Sequence, residues 1–143
     1  MGLAAVTVDL GRMYVIKSEL QAFTEAAALN AALRLDGSAN AIAGARNAAA
    51  ALATGPHAMK WDMGTQPITE IAATFAQGDR FPDPATWQAE PRSSGDCHFV
   101  RVVATAPAPL IFLRAFQALL TDFSTVAASS VAAKTGQAAR LVQ

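Results

Sequence analysis

The 143-residue chain has a single cysteine, Cys97, which excludes an internal disulfide and any zinc or iron–sulfur site built from several thiolates. Charge is scarce and balanced: 15% of residues are charged, with 11 basic against 11 acidic, where an ordinary domain carries about a quarter. Without a basic face to offset phosphates, the chain does not read as a nucleic-acid binder. No run of about 18 apolar residues occurs, so no segment qualifies as a membrane-spanning helix, and no signal-peptide pattern opens the sequence. Dinucleotide-binding GxGxxG, P-loop, HExxH, CxxC and EF-hand spacings are all missing.

What remains is apolar and small. Residues of the hydrophobic set make up 52% of the chain, yet about a quarter of all residues are alanine, so many apolar positions offer close contact and little bulk. At 14.8 kDa the chain is expected to form one globular unit. From Leu3 the apolar residues fall at Leu3, Val6, Leu10, Met13, Ile16, Leu20, Phe23 and Ala27, steps of three and four that predict one stripe of a long α-helix. Arg12, Lys17, Gln21, Thr24 and Glu25 are placed on its other face, and Asp36-Gly37-Ser38 is expected to end it after about 50 Å. Residues 1–37 are therefore assigned to this helix and 38–143 to the rest of the unit. Asn40 to Ala53 reads as a shorter, alanine-rich helix stopped by Gly55-Pro56.

After Pro56 the period changes to two. Met59, Trp61 and Met63 alternate with Lys60 and Asp62, and Ile71, Ala73 and Phe75 alternate with polar or small residues, predicting two strands joined at Gly64-Thr65-Gln66-Pro67 as an antiparallel pair. Residues 78–96 are rich in proline and glycine and read as surface loop, with a short strand at Thr86-Trp87-Gln88. His98 to Thr105 is the most β-like run and predicts a central strand. Leu110 to Leu120 has helical spacing, Phe123 to Lys134 reads as a last strand, and the final nine residues are expected to fray. The fold class is thus α+β: a long N-terminal helix and a shorter Ala-rich helix on an antiparallel sheet of about four strands. Trp61, Ile71, Phe75 and part of the 99–103 strand are expected to pack on Leu20 and Phe23.

Catalytic constellations are weak. Cys97 and His98 are adjacent, and neighbours on a strand point to opposite faces, which suits a structural thiol better than a nucleophile and its base. His57, His98, Asp62, Asp79, Asp83 and Asp96 lack any metal-ligand spacing, and Trp87 is a candidate exposed platform. No catalytic, cofactor-binding or metal site is assigned. Asp9, set between Val8 and Leu10 with Arg12 three residues on, reads either as one half of a pair on the solvated helix face or as an acid marking a partner or membrane edge.

The segment from Gly2 to Tyr14, with its apolar start and Val8-Asp9-Leu10-Gly11-Arg12-Met13-Tyr14 element, followed by Leu20-Gln21 and the Ala-rich turns to Ala32, resembles the N-terminal module of the TadG-like family of Flp (Tad) pilus-assembly proteins. Phe99 to Thr105, Pro109 to Phe112 and Ser124 to Ala132 look like that family's sheet, short capping helix and Ala-Ser-rich last strand. The resemblance implies a pilin-like fold and a non-enzymatic minor pilin of the bacterial cell envelope. Its N-terminal helix would anchor it in the cytoplasmic membrane and pack on other pilin or pilus-assembly subunits, leaving the α+β domain outside. Residues 2–8 would be the end of the apolar span that precedes the Asp-x-Gly-Arg element in that family. The partner-facing or membrane-edge residues so implied are Leu3, Val6, Asp9, Leu10, Gly11, Arg12 and Met13, with Ala4, Ala5 and Gly11 allowing close helix approach. An alternative from a different class is an envelope-tethered binding or adhesion module that uses the 78–96 loop.

Overall fold

A computed structural model describes residues 2–78, 82, 86–91, 97–107, 125–135 and 138–142. Its first element is the expected helix, α1 (Gly2–Ala32), followed by α2 (Ala41–Ala51). The strands are β1 (Lys60–Trp61), β2 (Gln66–Pro67), β3 (Glu70–Gln77), β4 (Cys97–Pro107), β5 (Thr125–Thr135) and β6 (Ala138–Val142). Strands β3-β4-β5-β6 form a four-stranded antiparallel sheet in that order, and β1-β2 form a separate two-stranded one. The α+β class with a long and a short helix is therefore observed.

Helix α1 ends earlier than expected, at Ala32. The chain leaves it through tight turns in which Arg34 N–H donates to Ala31 C=O (3.0 Å) and Leu35 N–H to Ala32 C=O (3.1 Å). Leu35 is then buried at 5% exposure, so its side chain drops into the core instead of continuing the helix. Gly37 takes the left-handed φ of 81° after this exit. Asn30 Nδ2 donates to the carbonyl of Ala48 (2.8 Å) and ties α1 to α2.

The strand pairing departs from expectation in three places. Residues 59–63 do not pair with 68–76; β1 pairs with Gln66–Pro67, inside the segment expected to be the turn, and β3 pairs with β4. The last residues, expected to fray, include β6, which pairs with β5 from Val131↔Val142 to Thr135↔Ala138. Around Trp87, among the described residues, there is one bridge, Phe75↔Gln88, and no strand. The helix expected at 110–120 and most of the 78–96 loop lie outside the described residues.

One core joins α1, α2 and one face of the sheet. It contains Ile16, Leu20, Phe23, Ala27 and Ala31 of α1 with Phe75, Val100, Val102 and Ala104, each 0% exposed, and Trp61 at 8%. Ile71 packs against it half-buried. Phe99 does not join it: its side chain is on the opposite face of β4, in a small cluster with Ala76, Ala133 and Trp87. Thr24, expected on the outer face of α1, is 0% exposed. A hydroxyl is tolerated there because Thr24 Oγ1 donates to Gln21 C=O (3.0 Å) and Ser130 Oγ lies 2.9 Å from it.

Candidate partner-facing site

The first turns of α1 carry most of the residues singled out in the sequence. Leu3 is 87% exposed, Val8 53%, Leu10 51% and Tyr14 75%. Leu3, Thr7, Leu10 and Tyr14 follow one another by four, three and four residues, so they line one strip of helix surface. Gly11 is exposed, and a Cβ added there would meet nothing within 4 Å. The side chain of Val6 lies outside the described residues. Among the described residues, no helix is long and apolar enough to cross a membrane.

Asp9 and Leu10 exchange the roles expected for them. The apolar stripe was expected to include Leu10, but the row turned inward runs Asp9, Met13, Ile16, Leu20, with Met13 half-buried and Asp9 at 1% exposure. Asp9 is thus not on the solvated face. It lies one position before Leu10, about 100° round the helix, and that rotation continues the line of Ile16 and Leu20 seven and eleven residues on. Its carboxylate acts electrostatically on Arg12.

Arg12 is bound to the body of the fold. Its Nε donates to Asp62 Oδ1 (3.1 Å) and a terminal nitrogen to Asp62 Oδ2 (2.6 Å), a two-pronged guanidinium–carboxylate pair. The hydrogen bond from Arg12, reinforced by its charge against partial burial, lowers the Asp62 carboxyl below its ordinary value. The same pair raises the Arg12 guanidinium. Asp62 begins a strained turn: Asp62, Met63 and Gly64 have φ of 55°, 56° and 80°. Glycine adopts this region without penalty and aspartate with a small one, while methionine does so at a cost. The turn is held by Thr65 Oγ1 donating to Asp62 C=O (2.7 Å) and by Met63 N–H donating to Glu19 Oε1 of α1 (2.8 Å). Arg12 and Glu19, seven residues apart on one helix face, therefore grip two successive residues of the turn. The turn was expected at Gly64-Thr65-Gln66-Pro67, with Asp62 and Met63 in a strand. It begins two residues earlier, and nothing in the sequence named the helix residues that clamp it.

Met13 and Leu10 turn toward β5. With Tyr14 and Lys17 they form one wall of an open groove of ≈ 380 Å³ whose other wall is Thr125, Val126 and Ala127. Lys17 Nζ donates across it to the carbonyl of Ala127.

Among the described residues the candidates for chemistry are not brought together. Cys97 is buried in the main core and His98 is half-buried. Among the described residues no group of three or more His, Cys, Asp or Glu could hold a metal ion. Asp79, Asp83 and Asp96 lie outside them. Trp87 is half-buried, its ring 5.1 Å from the Arg101 guanidinium carbon, so its face already has a cationic partner. No known protein family, curated protein or solved structure matches the chain.

Proposed function

We propose that the chain is a non-enzymatic, minor-pilin-like component of Flp/Tad-type pilus assembly, attached to the bacterial cell envelope through its N-terminal helix, with the α+β body outside the cytoplasmic membrane. The observation that carries this reading is the apolar surface at the start of α1. Leu3, Val8 and Leu10 present side chains to solvent on a helix whose later turns are sealed in the core. Isolated exposed leucines need no explanation, but here Leu3 and Leu10 lie on one side of the helix and Val8 on the other, so its first turns present apolar side chains on two sides that other helices can cover. The exposed Ala4 and Gly11 permit a partner helix to approach closely. The Arg12–Asp62 pair holds the helix beside this surface to the 62–65 turn.

The test is genetic. Cells lacking the gene should lose pili and surface adhesion, and the double variant Leu3→Asp, Val8→Asp should fail to restore them although the protein accumulates to the parental level. Unchanged pilus number in the deletion strain would end the proposal.

A further inference from the structure

Strand β5 is longer than the neighbour that covers its outer side. Phe75 exchanges backbone hydrogen bonds of 2.8 and 2.9 Å with Gln88, on the side of β3 away from β4. Antiparallel ladders alternate between residues that exchange bonds across a pair and residues that do not. Phe75 pairs with Val100, and Val100 with Ala132. Val100 therefore turns its backbone groups toward β5, Ala132 turns its own toward β4, and the odd-numbered residues of β5 turn theirs toward β6. β6 meets that row at Val131, Ala133 and Thr135. No described strand pairs with the outer side of β5 at Thr125, Ala127 and Ser129.

Two α1 side chains cover half of what this leaves open. Lys17 Nζ donates to the Ala127 carbonyl, and Gln21 Nε2 to the Ser129 carbonyl (3.4 Å). Both are donors, so they serve the carbonyls and leave the neighbouring N–H groups pointing off the edge. Beside this stretch runs the groove lined by Leu10, Met13, Tyr14, Val126 and Ala127.

We propose that the edge of β5 at residues 125–129 is a docking site for an extended segment of a second polypeptide, which pairs antiparallel with β5 in line with β6. β6 shows what such a strand must be. Its Ala139 and Leu141 pack inward on the core, opposite Lys134 and Ala132, while Arg140 between them is exposed. A segment continuing that line places a small residue opposite Ala128, which is 2% exposed beneath α1, and a bulky apolar residue opposite Val126. The apolar residue enters the groove and covers Leu10 and Tyr14. Its backbone supplies acceptors for the Ala127 and Ser129 N–H groups and donors that displace Lys17 and Gln21 from the carbonyls. The inference stands on the sheet edge, not on the pilus reading, with which it shares only Leu10.

The probe is the synthetic peptide acetyl-Thr-Ala-Thr-Leu-Thr-Lys-amide, added to the intact chain and followed by amide hydrogen exchange. Saturating peptide is expected to slow exchange at Ala127 and Ser129 by roughly tenfold or more, while the same peptide with Leu replaced by Asp has no effect. Ala127→Pro removes one outward N–H and leaves the ladder to β4 intact, so it should abolish binding with the fold retained. Leu10→Asp, at an exposed position, provides a second variant with the same expectation. No protection at about 1 mM peptide, or equal binding by Leu10→Asp, overturns the proposal and leaves Lys17 and Gln21 as guards against edge pairing.

Discussion

The two ends of α1 obey the same helical geometry with opposite results. From Ile16 onward the stripe Ile16, Leu20, Phe23, Ala27 and Ala31 is completely buried. Before it, the apolar residues Leu3, Val8 and Leu10 are exposed, and the residue that takes the buried line is Asp9. Hydrophobicity alone would have buried the first end as readily as the second. What differs is the surface opposite: β4, β5 and the Trp61 segment lie under the later turns, and the Arg12–Asp62 pair ties the earlier part of the helix to the turn beside Trp61.

This contrast can be broken most severely from the buried end. Phe23→Ala removes a 0% exposed ring at the centre of the core and is expected to cost about 3–5 kcal/mol, measured by denaturant unfolding. Thr24→Val keeps the shape but leaves the Ser130 hydroxyl, 8% exposed, without its acceptor, and should cost about 1–3 kcal/mol in the same measurement.

The junction is tested by pH. The Asp62 carboxyl is lowered by its hydrogen bond from Arg12, so its stabilising contribution is complete above the ordinary carboxylate value of about 3.9. It is lost as pH falls through the lower folded value. The Tm advantage of the parent over Asp62→Asn should therefore hold at pH 6 and shrink below about pH 4. A difference that grows on acidification would contradict the ion-pair geometry. The smallest effect belongs to the exposed end: Leu3→Ser should change unfolding free energy by no more than about 0.5 kcal/mol, although it removes a side chain larger than many in the core.

The helices and the strands were not equally legible. α1 and α2 were readable because a helix is closed by bonds within four residues, so period, alanine content and Gly-Pro stops suffice. Strand β4 announced itself through Phe99 to Val103, but the partners of β1 and β3 did not. The turn residues Gly64 and Pro67 fit a hairpin linking 59–63 to 68–76 as well as the small β1–β2 pair that forms. Five residues of modest β propensity at Ala138–Val142 gave no warning of an edge strand. Of the site, the apolar start and Arg12 were legible as an element, whereas Asp62, Glu19, Lys17 and Gln21 were not, since each acts on a residue more than forty positions away.

The sequence by itself determined the two helices and the extended character of the segments that form β3, β4 and β5, that charge is sparse and balanced, and that alanine and serine allow close packing in the sheet. Tertiary structure decided which side of α1 is buried at its first turns, which strand lies beside which, and how far β6 reaches along β5. The physical reason is that helix bonds are local, while strand pairing and burial depend on which distant surfaces meet.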